Sequence, residues 1–292
     1  MRSVYQIQFQ SAVILALGVH SALAQDIESV TMKTEVEVRS DMRNRGVSES
    51  LLRPGARAAV LVAHESGLTG FGELSSVSTR QYLRGRGSRV TLAGGYRFGD
   101  PDGWHFGIGL AADLYPGASF DAPHSLDPET FAPTDFRRTN YNSSYAGLEI
   151  GWGALETRIS TVTSKNFVGA STGGVCGTLA QFSSDPTATF NCFGRGDQTS
   201  RGSWLIEANY KFDLGNNLSL TVHAGRQIVR NFPEASYSDY SLSMAKKIAR
   251  FELSAQWLGA KVRTPALFVV QEGDRLRRID KPRGVLVATY KF

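Results

Sequence analysis

The chain has 292 residues, of which 41% are hydrophobic, 10% aromatic and 20% charged, and its formal net charge is +5. This composition excludes an intrinsically disordered chain and a collagen-like one, because enough apolar surface is available to be buried. Length alone permits one large domain or two small ones.

The first segment has the pattern of a secretory signal peptide. Arg2 precedes a short apolar stretch, 11–19, and small residues follow at Ala22 and Ala24. A short buried helix is the alternative, since the stretch is too short to cross a bilayer. We predict a signal peptide over residues 1–24 and a mature domain over residues 25–292. The mature chain has no apolar run long enough for a transmembrane helix, which leaves a periplasmic protein, a secreted protein or an outer-membrane β-barrel.

Beyond Gln25 the prevailing hydrophobic period is two, which indicates β-strands. Many runs are about ten residues long, enough to cross a bilayer as a tilted strand. The twelve predicted strands are 30–41, 56–64, 68–77, 89–98, 103–115, 140–151, 154–164, 201–212, 217–228, 239–246, 250–260 and 284–292.

Short and long connections alternate between these strands. The long connections are 42–55, 78–88, 116–139, 165–200, 229–238 and 261–283. Such alternation predicts an all-β fold: a transmembrane up-and-down antiparallel β-barrel of about 12 strands, with short periplasmic turns and long extracellular loops.

Aromatic residues recur where four strands reach the predicted periplasmic side. They are Tyr96, Phe98, Trp152, Tyr210, Phe212, Tyr290 and Phe292. Aromatic side chains prefer the boundary between hydrocarbon and water, so this level predicts a membrane girdle. The alternative is a soluble lipocalin-like barrel. Such a barrel would have about eight strands and would not need aromatic side chains gathered at one height of its wall.

The polar face of each predicted strand would line the lumen. The predicted channel-lining residues are Lys33, Arg39, Asp41, Arg89, Arg97, Asp113, Glu149, Arg158 and Glu207. Basic and acidic groups nearly balance on this face, which predicts a mixed-charge network. Two interpretations stay open: a pore for small hydrated solutes, or a blocked structural barrel in which the charges only satisfy one another.

The predicted outer loops carry more basic than acidic residues. The candidates for contacts at the mouth or with lipid phosphates are Arg43, Arg45, Arg84, Arg86, Arg275, Arg277 and Arg278. A basic rim would steer anionic solutes or bind lipid phosphates, and lipid binding is the simpler interpretation. Nucleic acid is not an expected partner of loops on an exported barrel.

Cys176 and Cys192 predict a disulfide, because an exported chain meets an oxidising compartment. Neither has a histidine or a third cysteine close by, so a metal site is the weaker alternative. No serine or aspartate pairing is signalled near His64, His105, His124 or His223. We therefore expect no metal, no cofactor and no enzymatic activity.

The segment after the first predicted strand carries a motif. In "RSDMRNRGVSES" (39–50), the pattern S-D-Y-x-x-R-G-x-S-x-S is met by Ser40, Asp41, Arg45, Gly46, Ser48 and Ser50, with Met42 in place of the aromatic residue and Pro54 following. The segments "GYRF" (95–98), "LYPG" (114–117) and "EANYKF" (207–212) extend the match. The chain resembles the proteobacterial TorF-type porin family, also called Gcw_chp, which implies an outer-membrane β-barrel porin. The motif either folds over the barrel mouth, where a solute would enter, or only packs against neighbouring strands.

The terminal Tyr290 and Phe292 resemble the signal that barrel-assembly machinery reads in outer-membrane proteins. The first functional hypothesis is a porin-like channel for passive diffusion of small hydrophilic solutes, including anionic ones. The alternative is a closed structural or adhesive barrel that binds lipopolysaccharide or a partner through its basic loops. The expected partners are outer-membrane lipid and lipopolysaccharide, the assembly machinery and small-molecule solutes.

Overall fold

The computed structural model describes residues 30–100 and 102–292, so the predicted signal peptide lies outside the described residues. Strands make up most of the fold. In chain order they are β1 (Val30–Arg39), β2 (Arg43–Asn44), β3 (Val47–Ser48), β4 (Gly55–His64), β5 (Leu68–Ser76), β6 (Ser88–Gly99), β7 (Trp104–Leu114), β8 (Ser119–Leu126), β9 (Pro133–Asn140), β10 (Ser143–Trp152), β11 (Leu155–Val162), β12 (Trp204–Asp213), β13 (Leu218–Ile228), β14 (Tyr237–Ile248), β15 (Phe251–Val262), β16 (Val269–Glu272), β17 (Arg275–Arg278) and β18 (Arg283–Lys291).

Twelve of these strands close into one antiparallel barrel, in the order β1, β18, β15, β14, β13, β12, β11, β10, β7, β6, β5 and β4. All twelve predicted strands are confirmed, with ends that differ by three residues or fewer. The barrel closes where β1 pairs with β18, so that Val36 lies opposite Tyr290. Beyond β18, the Phe292 N–H donates to the Thr34 carbonyl at 3.0 Å. Closure leaves no strand edge unpaired in the wall.

Alternation along each strand divides the side chains between the two faces of the barrel wall. In β7, Trp104, Ile108 and Leu110 are exposed on the outer face, whereas His105 and Asp113 are buried inside. An apolar exterior around a charged interior is the reverse of a water-soluble protein. The structure is therefore a transmembrane barrel, whose apolar outer face contacts lipid.

Aromatic rings gather on the outer face at the short-turn end. Tyr210 and Phe212 lie 4.5 Å apart between ring centroids, and Trp104 and Trp152 lie 6.4 Å apart on neighbouring strands. At the C-terminus, Phe292 packs on Tyr290 at 4.9 Å. These rings form the predicted girdle and place the short turns at one membrane interface.

The six long connections fold at the opposite end of the barrel. They contain the paired strands β2–β3, β8–β9 and β16–β17, two 3₁₀ turns, Pro233–Ala235 and Pro265–Phe268, and two helices, α1 (Thr172–Phe182) and α2 (Pro186–Phe193). None of the helices in the described residues has the length and apolar character needed to cross a membrane.

Both helices are missing from the sequence prediction. In α1, Gly173, Gly174 and Gly177 are weak helix formers. Local capping and packing stabilise the helix instead. The Ser171 hydroxyl accepts a hydrogen bond from the Gly174 N–H at 3.2 Å, which caps the first turn. The predicted disulfide is confirmed: Cys176 of α1 is bonded to Cys192 of α2.

The long connections pack together into an apolar core that we call the cap. Its largest side chains, all fully buried, are Tyr82, Tyr115, Phe120, Tyr141, Phe167, Phe232, Tyr237 and Phe268. Tyr82 stacks on Tyr115 with ring centroids 4.4 Å apart, and Phe120 contacts Tyr141 at 5.0 Å. The cap therefore covers the long-loop end of the barrel with packed side chains.

Deleting Phe292 should impair assembly of the barrel, because the deletion removes both a girdle ring and the residue that extends the β1–β18 seam. The measurement is the amount of heat-modifiable barrel in isolated outer membranes. Phe212→Ala, which removes a girdle ring far from the seam, is the matched control and should assemble well. Equal amounts of folded barrel from the deletion and the wild type would show that the C-terminal residue is dispensable.

Candidate functional site

The motif after β1 folds into the barrel. Every residue from Asp41 to Leu51 is buried, and we call these residues the inward segment. The Asp41 carboxylate organises the segment by accepting hydrogen bonds from Arg43 Nε at 2.7 Å, Ser48 Oγ at 2.6 Å and Ser50 Oγ at 3.2 Å. The polar residues of the sequence motif thus form one hydrogen-bonded turn around a single carboxylate.

Gly46 forms the tip of this turn. Its φ of +78° lies in the left-handed region, which residues with a side chain rarely adopt. A Cβ at this position would also overlap the carbonyl oxygen of Gly259 on β15. The turn therefore needs glycine for its conformation and for its close approach to the wall.

Arg45 connects the inward segment to the opposite wall. Its guanidinium donates to Asp239 of β14 at 3.1 Å and lies 4.0 Å from Glu207 of β12. Although burial lowers the pKa of Arg45, Asp239 and Glu207 raise it above its usual value. The charge is thus retained, and Asp239 is fixed further by His223 Nε2 at 2.7 Å.

Glu49 connects the other end of the segment to the wall and to the cap. Its carboxylate accepts hydrogen bonds from Arg89 of β6 at 2.7 Å and from the Tyr82 hydroxyl at 2.9 Å. Burial raises the pKa of Glu49, and Arg89 and Tyr82 only partly oppose this effect. The segment is thus held at both ends by buried charged groups.

Alternating charges continue along the inner wall on both sides of the segment. On β1, β4, β5 and β6, Arg57 contacts Glu35 and Glu73 at 2.6 Å each, and Arg89 contacts Glu73 at 2.9 Å. The second group spans β6, β10, β11 and β12. Its ion pairs are Arg158–Glu149 at 3.1 Å, Arg158–Glu207 at 2.7 Å, Arg97–Glu149, and Arg97–Glu156 at 3.8 Å.

The solvent exposure of these inner groups changes with depth. Near the short turns, the Glu35, Glu252 and Lys291 side chains keep 29%, 31% and 35% of their surface exposed. Nearer the long loops, Glu73 and Asp239 keep 2% and 1%. The lumen is therefore accessible to water from the short-turn side beside β1, β15 and β18. Near the short turns of β7 and β10 it is closed, since His105 and Glu149 are buried there, and it is also closed beneath the cap.

Eight of the predicted channel-lining residues lie on the inner face of barrel strands, namely Lys33, Arg39, Arg89, Arg97, Asp113, Glu149, Arg158 and Glu207. Asp41, the ninth, belongs to the inward segment. Asp113 accepts from Thr91 Oγ1 at 2.6 Å and from the Tyr145 hydroxyl at 3.2 Å. Ion pairs of the segment and the wall involve seven of the nine residues, namely Arg39, Asp41, Arg89, Arg97, Glu149, Arg158 and Glu207.

The residues predicted at the mouth or on lipid phosphates separate into three groups. Arg43 and Arg45 are buried inside the barrel, so the prediction that they contact lipid phosphates is wrong. Arg84 pairs with Asp121 at 2.5 Å, Arg277 with Glu272 at 2.6 Å, and Arg278 with Asp280 at 2.5 Å. Arg86 and Arg275 are exposed on the loops and form no ion pair in the described part of the chain.

Three functional groups were missed by the sequence prediction: Glu49, His223 and Asp239. Asp239 alternates with the outward-facing residues of β14, and this pattern could have predicted that its side chain faces the lumen. Glu49 carries no such signal, because it lies in a connection whose path into the barrel is set by distant contacts.

One cluster contains side chains that could bind a metal, and its two carboxylates already contact arginines. In the described residues, His105, Glu149 and Glu156 place potential ligand atoms within 4.8 Å of one another. Arg97 contacts both carboxylates and Arg158 contacts Glu149. Two guanidinium groups beside the cluster oppose the binding of a further cation, so the arrangement fits ion pairing.

The other histidines have polar partners of their own. His64 Nδ1 lies 2.8 Å from Ser66 Oγ, His124 Nδ1 lies 2.7 Å from Asp197, and His223 bridges Asn209 and Asp239. His64 is near a short turn and His124 is in the cap region, as the sequence predicts. None of these three arrangements combines a nucleophile, a base and a carboxylate that orients the base.

The sequence matches the Gcw_chp family, described as "Bacterial protein of unknown function", over residues 24–283. The chain belongs to this family. A closed barrel with short turns at one end and long loops at the other is the architecture of bacterial outer-membrane proteins, and this family member is an outer-membrane β-barrel. No curated protein matches its sequence.

Several solved outer-membrane barrels are similar to this Gcw_chp protein. The NanC porin has a TM-score of 0.48 and 9% identity, covering 90% of this chain and 99% of NanC. The KdgM porin in complex with disordered oligogalacturonate has a TM-score of 0.46 and 6% identity, with coverages of 89% and 98%. The COG4313 outer membrane channel from Pseudomonas putida F1 has a TM-score of 0.39 and 9% identity, with coverages of 94% and 98%.

Replacing Gly46 by valine should release the inward segment, because the new Cβ would overlap the wall at Gly259. The measurement is maleimide labelling of Asn44→Cys, a buried position, in folded protein whose two native cysteines are bonded to each other. We expect labelling to accelerate about tenfold or more, which corresponds to about 1.4 kcal/mol.

Gly215→Val is the matched control. Gly215 has a similar φ of +77°, but nothing lies within 4 Å of its added Cβ. Both variants thus strain the backbone, and only Gly46→Val collides with the wall. Equal labelling rates in the two variants would contradict close packing of the segment against β15.

Proposed function

We propose that this protein is an outer-membrane channel for small hydrophilic solutes, closed in the described conformation by the inward segment and the cap. The observation that carries the proposal is the inner wall itself. It presents ionised side chains that are open to water at the periplasmic end and run up to a segment held by ion pairs.

A charged wall suits a hydrated pathway better than a purely structural interior. An interior that only filled space would be served by apolar side chains, since buried ion pairs cost desolvation and add little net stability. Here Glu35, Glu252 and Lys291 keep contact with water within the periplasmic part of the lumen. This supports a hydrophilic vestibule at that end.

Opening would require two movements. The inward segment would have to leave its sites on β6, β12 and β14, and the cap would have to separate from the wall. The segment is held by charged groups at Arg45 and Glu49, which can exchange protein partners for water when water enters. The segment is therefore the element best suited to control passage.

The solutes favoured by this wall are small and polar. Inside the lumen, positive and negative groups alternate, which gives little selectivity by charge. On the outer loops, Arg86 and Arg275 are exposed without ion pairs in the described residues, and exposed cations of this kind would concentrate anionic solutes at the mouth.

A closed structural or adhesive barrel is the second candidate, and the cap favours it. Side chains such as Phe167, Phe232 and Phe268 are fully buried there, and such packing at the outer end is what a permanently sealed barrel would need. We expect no enzymatic activity under either candidate.

Planar-bilayer recordings of the folded protein test the channel. Wild type should show rare, small conductance steps. Arg45→Ala should raise the ratio of open to closed channels about a hundredfold or more, because removing one partner of a buried ion pair costs about 3–5 kcal/mol and leaves Asp239 without the segment. Arg84→Ala, which breaks an exposed pair on the outer loops, is the control and should behave like wild type.

If neither wild type nor Arg45→Ala conducts, although heat-modifiable mobility shows that both are folded, the channel proposal is contradicted and the closed barrel is favoured. A reversal potential measured in a salt gradient would then rank anions against cations for any open state. Strong cation selectivity would argue against steering by the outer arginines.

A further inference from the structure

The outer face of the barrel carries very few charged residues. Alternation assigns every second residue of the described barrel strands to this face, and nearly all of these positions are uncharged. The exceptions are Arg226 of β13, Lys246 of β14 and Lys261 of β15. Lys246 lies near the short turns, where its ammonium donates to the Asn216 carbonyl. The other two lie together at the long-loop end.

Strand register places Arg226 and Lys261 on either side of one serine. Arg226 pairs with Ser238 across β13 and β14, and Ser238 pairs with Lys261 across β14 and β15. Arg226 Nη1 also donates to Ser238 Oγ at 2.9 Å. Because adjacent strands are about 4.8 Å apart, the two cations stand about 10 Å apart at Cα. Both side chains can therefore reach a group placed over Ser238.

Neither cation is neutralised by the protein. In the described part of the chain, no carboxylate lies within 4.0 Å of Arg226 or Lys261, nor of the exposed Arg230 and Arg263 just beyond them. Nearly all the cationic side chains of the inner wall are paired with carboxylates, and several cationic side chains of the loops are paired as well. The outer row thus combines positive charge with hydroxyl and guanidinium groups that lack an anionic partner.

The height of this row corresponds to the membrane boundary. Arg226 lies two residues before the end of β13, Ser238 is the second residue of β14, and Lys261 is the penultimate residue of β15. Tyr240 and Trp257 face outward on the side toward the bilayer centre. Cations on a lipid-facing wall are costly in hydrocarbon but not at the interface, where aromatic side chains also concentrate.

We propose that Arg226, Ser238 and Lys261 form a binding site for a phosphate group of lipopolysaccharide in the outer leaflet. Arginine and lysine provide charge-assisted hydrogen bonds to phosphate oxygens, and the serine hydroxyl provides a further donor. Arg230 and Arg263 extend the positive surface toward the outer saccharides. The site differs from the arginines expected on the loops, where Arg277 and Arg278 are already paired with Glu272 and Asp280.

Native mass spectrometry of the detergent-folded full chain, titrated with purified diphosphoryl lipid A, tests the site. Arg226→Gln/Lys261→Gln should bind lipid A about tenfold more weakly than wild type, the loss expected when two charge-assisted contacts are removed. Lys246→Gln removes the third outward-facing cation, at the opposite membrane boundary, and should bind like wild type. Heat-modifiable mobility confirms that each variant is folded.

Two further binding measurements identify the ligand. Dephosphorylated lipid A should bind wild type and the double variant equally weakly, and millimolar inorganic phosphate should not displace lipid A from wild type. Displacement by inorganic phosphate would show a general anion site and overturn the assignment to lipopolysaccharide. Equal lipid A affinity of wild type and Arg226→Gln/Lys261→Gln would overturn the site itself.

Discussion

The rest of the structure depends on the need to pair every backbone group of a strand that lies in hydrocarbon. No water is present there to satisfy an open edge, so the sheet must close. β1 meets this requirement by pairing with β4 on one side and β18 on the other. Closure then fixes the chemistry of both faces, because one side of each strand must tolerate lipid while the other is enclosed.

Enclosing an interior with twelve strands creates a second requirement, since side chains from the wall alone fill only smaller barrels. This chain fills the space with a polar turn built around Asp41. Arg45 and Glu49 connect that turn to opposite sides of the wall. Buried ion pairs contribute little net stability, but they determine where the turn lies, because the partners of Arg45 and Glu49 are fixed on β12, β14 and β6.

The two ends of the barrel differ because their connections differ. Tight turns leave the periplasmic end open enough for Lys291 to remain one-third exposed. Long connections at the other end can bury aromatic side chains against one another, as Tyr82 and Tyr115 do. The cap shields the ion pairs beneath it from water, which strengthens them. A conformational change at the cap would thus weaken the contacts that hold the inward segment.

The sequence by itself determined the number of strands, their faces and the alternation of short and long connections, because these follow from periods and spacings along the chain. The disulfide between Cys176 and Cys192 was predicted from the expected export of the chain to an oxidising compartment. The sequence also showed which side chains face inward. Only the tertiary structure decided that the motif enters the barrel, since Arg45 is 194 residues from Asp239 in sequence. It also decided that a glycine-rich stretch becomes helix α1, and that Arg226 and Lys261 meet across Ser238. Each of these outcomes rests on contacts between distant segments, and no local pattern encodes such contacts.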